Sequence, residues 1–326
     1  MTQSQDRIAV LTSGGDAPGM NACLRSIVRV AYAHHVEVLG VRHGYEGLIQ
    51  GNFVPLSLRS VGNIIQRGGT LLGSSRSRSF LTKEGRKKAY ESLKLVGIKK
   101  LIVLGGDGSL RGAAKLSDEF GVSVIGVPCT IDNDLAGTDF SIGFDSAVRT
   151  AVECIDKIRD TADSHGRIFV IEVMGKNTGH IAIETALAVG AEFVFIPEKK
   201  DQPEAMFRKI KSGLARGKTG SIVIVAEGKK PGKSLKIAES LGRKIQREVR
   251  TLILGHLQRG GSPSPVDRNL ASEFGALAVN LILSGKTKKM TIVRCGRMES
   301  IDFSKALNGK QKLSNEKLKL LDRLSV

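Results

Sequence analysis

Apolar stretches and Gly-, Pro- and Asp-rich turns alternate along this chain in a repeated strand–turn–helix rhythm. Residues 7–12 (RIAVLT) predict a first strand, which runs into Ser13-Gly14-Gly15-Asp16-Ala17-Pro18-Gly19. A helical stripe follows at Met20, Leu24, Ile27 and Ala31, spaced i, i+4, i+7, i+11. Asp16 and Pro18 mark the predicted start of that helix, which continues to about His34. Residues 36–41 predict the next strand. The most informative stretch is 101–134. Its apolar runs at 101–104 and 122–127 are bounded by Gly, Pro or Asp, as buried strands are, and flank a helix-like middle. That is a βαβ unit with parallel strands. From about Phe144 the rhythm restarts. It predicts a helix at 147–161, with Val148, Ile155 and Ile158 apolar, and a strand at 167–173. A turn at 174–180, a strand at 193–196, a helix at 204–215 and a strand at 221–226 ending at Glu227 come next. Strand-like residues 252–254, a helix at 269–283 and a strand at 291–294 complete the pattern. The Lys-rich tail from Lys310, with Leu313, Leu318, Leu320 and Leu321 apolar, predicts a docked terminal helix. Two α/β domains follow from this, in keeping with a length of 326 residues.

Candidate chemistry sits at the strand ends. In a parallel sheet, ligands bind beyond the carboxyl ends of the strands. There the chain places Gly105-Gly106-Asp107-Gly108-Ser109 after one strand and Pro128-Cys129-Thr130-Ile131-Asp132-Asn133-Asp134 after its neighbour, so both loops should face one crevice. Glycines allow close backbone approach, and free N–H groups at a helix start attract phosphate. Asp107, Asp132 and Asp134 would repel phosphate unless a cation intervened. Gly-rich turns beside acids therefore suggest a Mg²⁺–nucleotide site, with one acid on the metal and another taking a proton from an attacking hydroxyl. Either loop alone also reads as an ordinary solvated turn. Ser13–Gly19 repeats the strand–Gly-Gly-Asp–helix turn, as if one phosphate chain were cradled from two sides. Arg25 and Arg29 share a helix face that is either solvated or phosphate-binding. Residues 61–79 are Gly/Ser/Arg-rich, and Arg67, Arg76 and Arg78 there serve phosphates or solvate a loop. Residues 213–219 resemble a Walker A loop only superficially. Ser212 replaces the first Gly, and the order is helix, loop, strand instead of strand, loop, helix.

Composition narrows the classes. No apolar run approaches the ~20 residues of a membrane span. The start, MTQSQDRIAVLTSGG, lacks the basic region and apolar stretch of a signal peptide, which predicts a soluble cytoplasmic protein. Cys23, Cys129, Cys154 and Cys295 form no CxxC pair, and six histidines show no ligand spacing, so no zinc site or disulfide framework is indicated. Cys129, inside the acidic loop, is predicted to be the chemically sensitive thiol, and the other three to be buried small residues. The net charge of +18 admits a nucleic-acid-binding surface or steering of polyanionic small substrates. Basic residues are scattered in clusters at 86–88, 99–100, 199–200, 229–230 and 288–289. There is no Trp, and aromatics do not interleave with the cations as base stacking requires.

Taken in order, LTSGGDAPGMNA (11–22), RGGTLLGSSRS (67–77), GGDGS (105–109), TIDND (130–134), IRDTADSHGR (158–167), IEVMGK (171–176) and LGHLQRGGSP (254–263) resemble the bacterial ATP-dependent 6-phosphofructokinases. GGDG alone is shared with other small-molecule and lipid kinases. The ordered set spans nearly the whole chain and is specific. The resemblance implies two Rossmann-like three-layer domains with mainly parallel sheets and an active site in the cleft between them. The larger, ATP-binding domain would hold 1–142 and 257–306, and the smaller, sugar-phosphate-binding domain 143–256 and 307–326. It implies ATP-dependent phosphorylation of fructose 6-phosphate, with Asp132 as general base and Asp107 on Mg²⁺. ATP would meet Gly15, Arg76, Ser77, Gly106, Asp107, Gly108 and Ser109. The sugar phosphate would meet Thr130, Ile131, Asp132, Met174, Gly175, Lys176, Glu227, His256, Leu257, Gln258 and Arg259, with Arg167 and Arg250 reaching in from a neighbouring subunit. A homotetramer is implied, with ADP and phosphoenolpyruvate as effectors at Arg25, Arg29, Arg59, Arg159, Arg216 and Lys218. Leu58 stands where a basic residue is common. Pyrophosphate-using relatives carry Asp at the position of Gly108 and Lys at that of Cys129, so both positions favour ATP here. Lys176 replaces an expected Arg, keeping the charge but losing the planar fork, which implies weaker fructose 6-phosphate binding.

Overall fold

The structure is a computed structural model that describes residues 7–200, 202–228 and 231–325; the basic pair Lys229-Lys230 lies outside the described residues. In chain order the elements are β1 (Arg7–Ser13), α1 (Met20–Ala33), β2 (Glu37–Val41), α2 (Gly44–Ile49), β3 (Phe53–Leu56), α3 (Lys83–Leu95), β4 (Lys100–Gly105), α4 (Asp107–Phe120), β5 (Ser123–Pro128), α5 (Phe144–His165) and β6 (Ile168–Val173). Then come α6 (His180–Ala188), β7 (Phe193–Phe195), α7 (Pro203–Ala215), β8 (Ser221–Ala226), α8 (Lys233–Ile245), β9 (Val249–Ile253), α9 (Pro265–Leu283), β10 (Lys289–Arg294), β11 (Arg297–Asp302), α10 (Phe303–Leu307) and α11 (Asn315–Leu324). The chain forms two compact units. One holds the chain up to Thr130, then Asp134–Asp145 and Arg259–Gln311; the other holds Ile131–Asn133, Ser146–Gln258 and the chain from Lys312.

The first unit is built on a seven-stranded sheet ordered β11-β10-β5-β4-β1-β2-β3. β10, β5, β4, β1 and β2 run parallel, and β3 and β11 close the edges antiparallel. Leu101, Ile102, Val103 and Leu104 are wholly buried, as a parallel strand covered on both faces requires. Alternate residues Ala9, Leu11, Leu101 and Val103 join a core with Tyr45, Leu48, Phe80 and Leu110 from one layer of helices. The opposite face is covered by α9, which packs against β4 and β5 and against α1. The α1 start departs from expectation. Gly19, at φ 110, is the residue before the helix, and no side chain caps it. A Cβ there would stand 2.6 Å from Ile142, so close packing, not Asp16 or Pro18, fixes the helix start.

The second unit carries a four-stranded parallel sheet ordered β7-β8-β6-β9. Ile168, Val170, Val223 and Val225 pack with Met206, Ile210, Ala238 and Leu241 of α7 and α8. α7 ends before β8 begins, so 213–219 leaves a helix and enters a strand. α11 docks through Leu318 and Leu321 and packs against α6. Among the described residues, no helix is long and apolar enough to cross a membrane.

Candidate active site

Strand register in the first unit aligns three loop origins. Ser13 of β1 pairs with Gly105 of β4, and Gly105 pairs with Pro128 of β5. Three carboxyl ends therefore stand in one row, the geometry in which parallel sheets bind ligands. The loops after them are tied together. Ser109 Oγ donates to Ser13 Oγ at 3.0 Å, both buried. Gly105 tolerates no side chain, since a Cβ would lie 2.7 Å from both Ser13 O and Ser109 Cβ. Gly106 faces Thr130, and the space around Gly108 is open.

The 61–79 segment is laid against the β1 turn by side chains that carry no charge. Asn21, 4% exposed, donates to the carbonyls of Arg67 and Gly68 and accepts from Leu71 N at 2.7 Å. Thr12 donates to Gly73 O at 2.8 Å, and Ser74 to Gly14 O at 2.9 Å. Ser77 Oγ is engaged with Glu46 Oε2 at 2.6 Å and caps Phe80 N, whereas Arg76 is exposed. The Arg259–Gly261 loop closes on the same turn. Arg259 donates to Asp16 O at 3.1 Å, and its guanidinium lies against Gly15.

Asp107 opens α4, where the N-terminal dipole favours a carboxylate. Its Oδ2 is 2.8 Å from Nε of Arg111, and both side chains are nearly half exposed. Arg111 also donates to Leu307 O. No group of three His, Cys, Asp or Glu among the described residues could hold a metal by itself. Mg²⁺ is typically held by one or two carboxylates together with substrate phosphates. An exposed carboxylate beside the open Gly108 fits that arrangement.

Ile131, Asp132 and Asn133 belong to the second unit. Asp132 is 8% exposed; its carbonyl accepts from Thr178 Oγ1 at 3.1 Å, and its Oδ1 is a buried oxygen that receives no hydrogen bond, although the residue is otherwise engaged. Ile131 is wholly buried. Gly175 (φ 149) and Lys176 (φ 52) form the turn after β6, with Met174 buried and Lys176 exposed. Glu227 N donates to Val173 O at 2.9 Å, which brings Glu227 beside that turn. His256 and Leu257 are exposed, but Gln258 is wholly buried. Its side chain accepts from Met174 N at 2.7 Å and donates to Ala147 O, so it is spent on holding backbone.

Arg167 and Arg250 lie elsewhere. Both approach Glu248, at 3.3 and 2.6 Å, and Arg250 pairs in register with Phe169 near the start of β6. Met174 and Glu227 follow the opposite, carboxyl ends of β6 and β8, so within one chain the two arginines do not join them. Arg25, Arg29 and Arg59 belong to the first unit, with Arg29 and Arg59 exposed. Arg159, Arg216 and Lys218 belong to the second, where Arg159 donates to Val189 O and Arg216 to Ser212 Oγ. Lys218 donates to Glu192 at 2.9 Å, and Glu192, 6% exposed, also accepts from Ile222 N.

Sequence reasoning missed Glu192, Asn21 and Thr178, because nothing local marks an uncharged or buried side chain as a clamp. Cys129 is corrected. It is 1% exposed, and burial pushes its thiol well above the ordinary range, so it is unreactive. Cys295, expected inside, is the exposed thiol, in a β10–β11 turn at φ 49.

The phosphofructokinase family profile matches residues 7–282. The chain is 50% identical over 320 residues to "ATP-dependent 6-phosphofructokinase 1" of Thermus thermophilus, covering 98% of this chain and 99% of that one. It is equally identical, with the same coverage, to the ATP-dependent 6-phosphofructokinase of Brevibacillus brevis. Among solved structures, phosphofructokinase from Saccharomyces cerevisiae superposes with a TM-score of 0.89 at 33% identity. That match covers 93% of this chain, which spans 45% of the yeast chain. A pyrophosphate-dependent phosphofructokinase from Marinobacter aquaeolei shares the fold, with a TM-score of 0.86 at 22% identity, over 98% of this chain and 92% of that one. Motifs in family order, the row of strand ends and these likenesses agree, and the chain belongs to the phosphofructokinase family.

Proposed function

We propose that the chain transfers the γ-phosphoryl group of ATP to the 1-hydroxyl of fructose 6-phosphate, giving fructose 1,6-bisphosphate as the committed step of glycolysis. The observation that carries this reading is the row Ser13, Gly105, Pro128, which gathers two Gly-Gly-Asp turns and the start of the TIDND loop at neighbouring strand ends. ATP is favoured over pyrophosphate because half-identical relatives named as ATP-dependent cover nearly the whole chain, and because Gly108 leaves open space.

Phosphoryl transfer demands little covalent chemistry from protein; it needs alignment and charge compensation. Gly15 and Gly106–Ser109 offer backbone to the triphosphate, and Arg76 and Ser77 complete its binding. Asp107 would hold Mg²⁺, which when bound neutralises charge on the phosphates. Asp132 takes the proton of the 1-hydroxyl as that oxygen bonds to the γ-phosphorus and the bond to the β,γ-bridging oxygen breaks. Thr130, Ile131, Met174, Gly175, Lys176, Glu227, His256, Leu257 and Arg259 bind the sugar phosphate, Gln258 through the backbone it fixes. Arg167 and Arg250 serve a neighbouring subunit's site in a homotetramer, which their place away from Met174 and Glu227 supports. The arginines and lysine of the two effector groups would take ADP or phosphoenolpyruvate, and the enzyme would act in the cytoplasm. The high positive charge then steers polyanionic substrates.

The test is Asp132→Asn, assayed with ATP and separately with pyrophosphate. With ATP, kcat is expected to fall at least ~100-fold while ATP still binds, since a positioned base contributes about 10²–10⁴-fold. Near-normal turnover in the variant would remove Asp132 from the role, and turnover of wild type with pyrophosphate alone would replace the donor.

A further inference from the structure

We propose that Glu172 is a positioning residue for sugar-phosphate binding: its buried carboxylate ties the start of α8 to the end of β6 and so sets where Glu227 stands. This rests on the reading of Glu227, Met174 and Gly175 as sugar-phosphate ligands.

Glu172 is the one charged residue in β6, IFVIEV, a strand buried along its length, and it is itself 1% exposed. Burying a carboxylate is costly unless its oxygens are satisfied. Here Oε1 accepts from Gly232 N at 2.8 Å, and Oε2 accepts from Ser234 N at 2.9 Å and Ser234 Oγ at 2.7 Å. Gly232 precedes α8 at φ 100 and has no side chain to cap it. The cap comes instead from the neighbouring sheet, and the carboxylate meets the positive end of the helix.

The same residue and its neighbour hold the other substrate loops through their backbones. Glu172 O accepts from Leu254 N at 3.0 Å, and Val173 O accepts from Glu227 N at 2.9 Å. Met174 and Gly175 follow directly in the chain. Two points beyond β8 are thus held by adjacent residues of β6: Glu227 by a backbone bond to Val173, and Gly232 by the Glu172 carboxylate. An apolar side chain at 172 would fill the space but release the second anchor. Glu172 touches no substrate in this arrangement and acts through Glu227.

Glu172→Gln tests this. The amide has one acceptor oxygen and one NH₂, so one of its sides must face an N–H donor. Ser234→Ala removes one bond to Oε2 and keeps the carboxylate. Each variant of the full chain is melted and then assayed with fructose 6-phosphate and ATP titrated separately. For Glu172→Gln the KM for fructose 6-phosphate is expected to rise about tenfold, with kcat and the KM for ATP within about twofold. Ser234→Ala should move the same KM about threefold in the same direction. A merely structural role would lower the melting temperature and the active fraction with both KM values unchanged, and that result overturns the proposal; so does an equal rise in both. If Glu172→Gln does not fold, Ser234→Ala decides on the same criteria. Glu227→Gln is the control. If it leaves the KM for fructose 6-phosphate unchanged, the sugar-phosphate reading itself fails. If it raises that KM while Glu172→Gln and Ser234→Ala do not, only the positioning role is lost.

Discussion

A side chain at Gly15 would displace Arg259, and Gly15→Ala converts that contact into a measurable loss. A Cβ at Gly15 would stand 2.5 Å from Nη1 of Arg259 and 3.0 Å from Cζ. Ordinary contact between such atoms begins near 3.5 Å, so the guanidinium must withdraw by about 1 Å. The moving group is the far end of a flexible side chain, and it gives up one hydrogen bond, to Asp16 O at 3.1 Å. Folding should therefore lose only about 1 kcal/mol. Catalysis is less forgiving, because a misplacement of about 1 Å in a binding group costs on the order of 100-fold. That is about 2.7 kcal/mol of transition-state stabilisation, well above the folding cost. A coupled spectrophotometric assay gives kcat/KM, and a thermal melt gives stability. Arg259→Ala supplies the check. In that background the clash is gone, so Gly15→Ala should add less than about threefold, as coupled neighbours do. A full 100-fold penalty persisting there would refute the reasoning and place the obstruction against the nucleotide instead.

Other outcomes follow from burial and charge. Arg86, 5% exposed, donates to both carboxylate oxygens of Glu119 at 2.6–2.7 Å and to the carbonyls of Phe80 and Leu81. Its hydrogen bonds hold the Glu119 carboxyl below its usual 4.5. A depressed folded pKa means this stabilisation is complete above 4.5 and fades as pH falls through the folded value. Arg86→Gln should cost about 2–3 kcal/mol at pH 7 by urea denaturation, and the gap to wild type should narrow below pH 4.5. A gap independent of pH would show that the ion pair is not its source. With a thiol reagent on the native protein, Cys295 should label first, and Cys23 and Cys129 only on unfolding. Activity lost in step with native labelling of Cys129 would contradict its burial.

The legible parts of this molecule were those written in local chemistry. Apolar runs bounded by Gly, Pro and Asp marked β1, β4, β5, β6 and β8, because a buried parallel strand must be apolar on both faces. Weaker signals were lost. α3 and α8 are basic, with four and three buried residues respectively, so their stripes are thin. α9 starts at Pro265, four residues before the apolar stripe suggested, since Ser264 caps it and Pro265 takes the first turn. Cys129 was misread because its position in the chain, three residues before Asp132, says nothing about which way its side chain points.

The chain by itself determined the succession of strand–glycine turn–helix units, the carboxylates and arginines at their ends, and through their order the family. Tertiary structure alone decided the partners. Strand register placed Ser13, Gly105 and Pro128 in a row, Arg259 came to rest on Gly15 across 243 residues of chain from Asp16, and Glu172 found the start of α8. Periodicity and turn chemistry act between residues a few positions apart, and a sequence displays them directly. A hydrogen bond between distant segments exists only after the core has packed and fixed which backbones lie side by side.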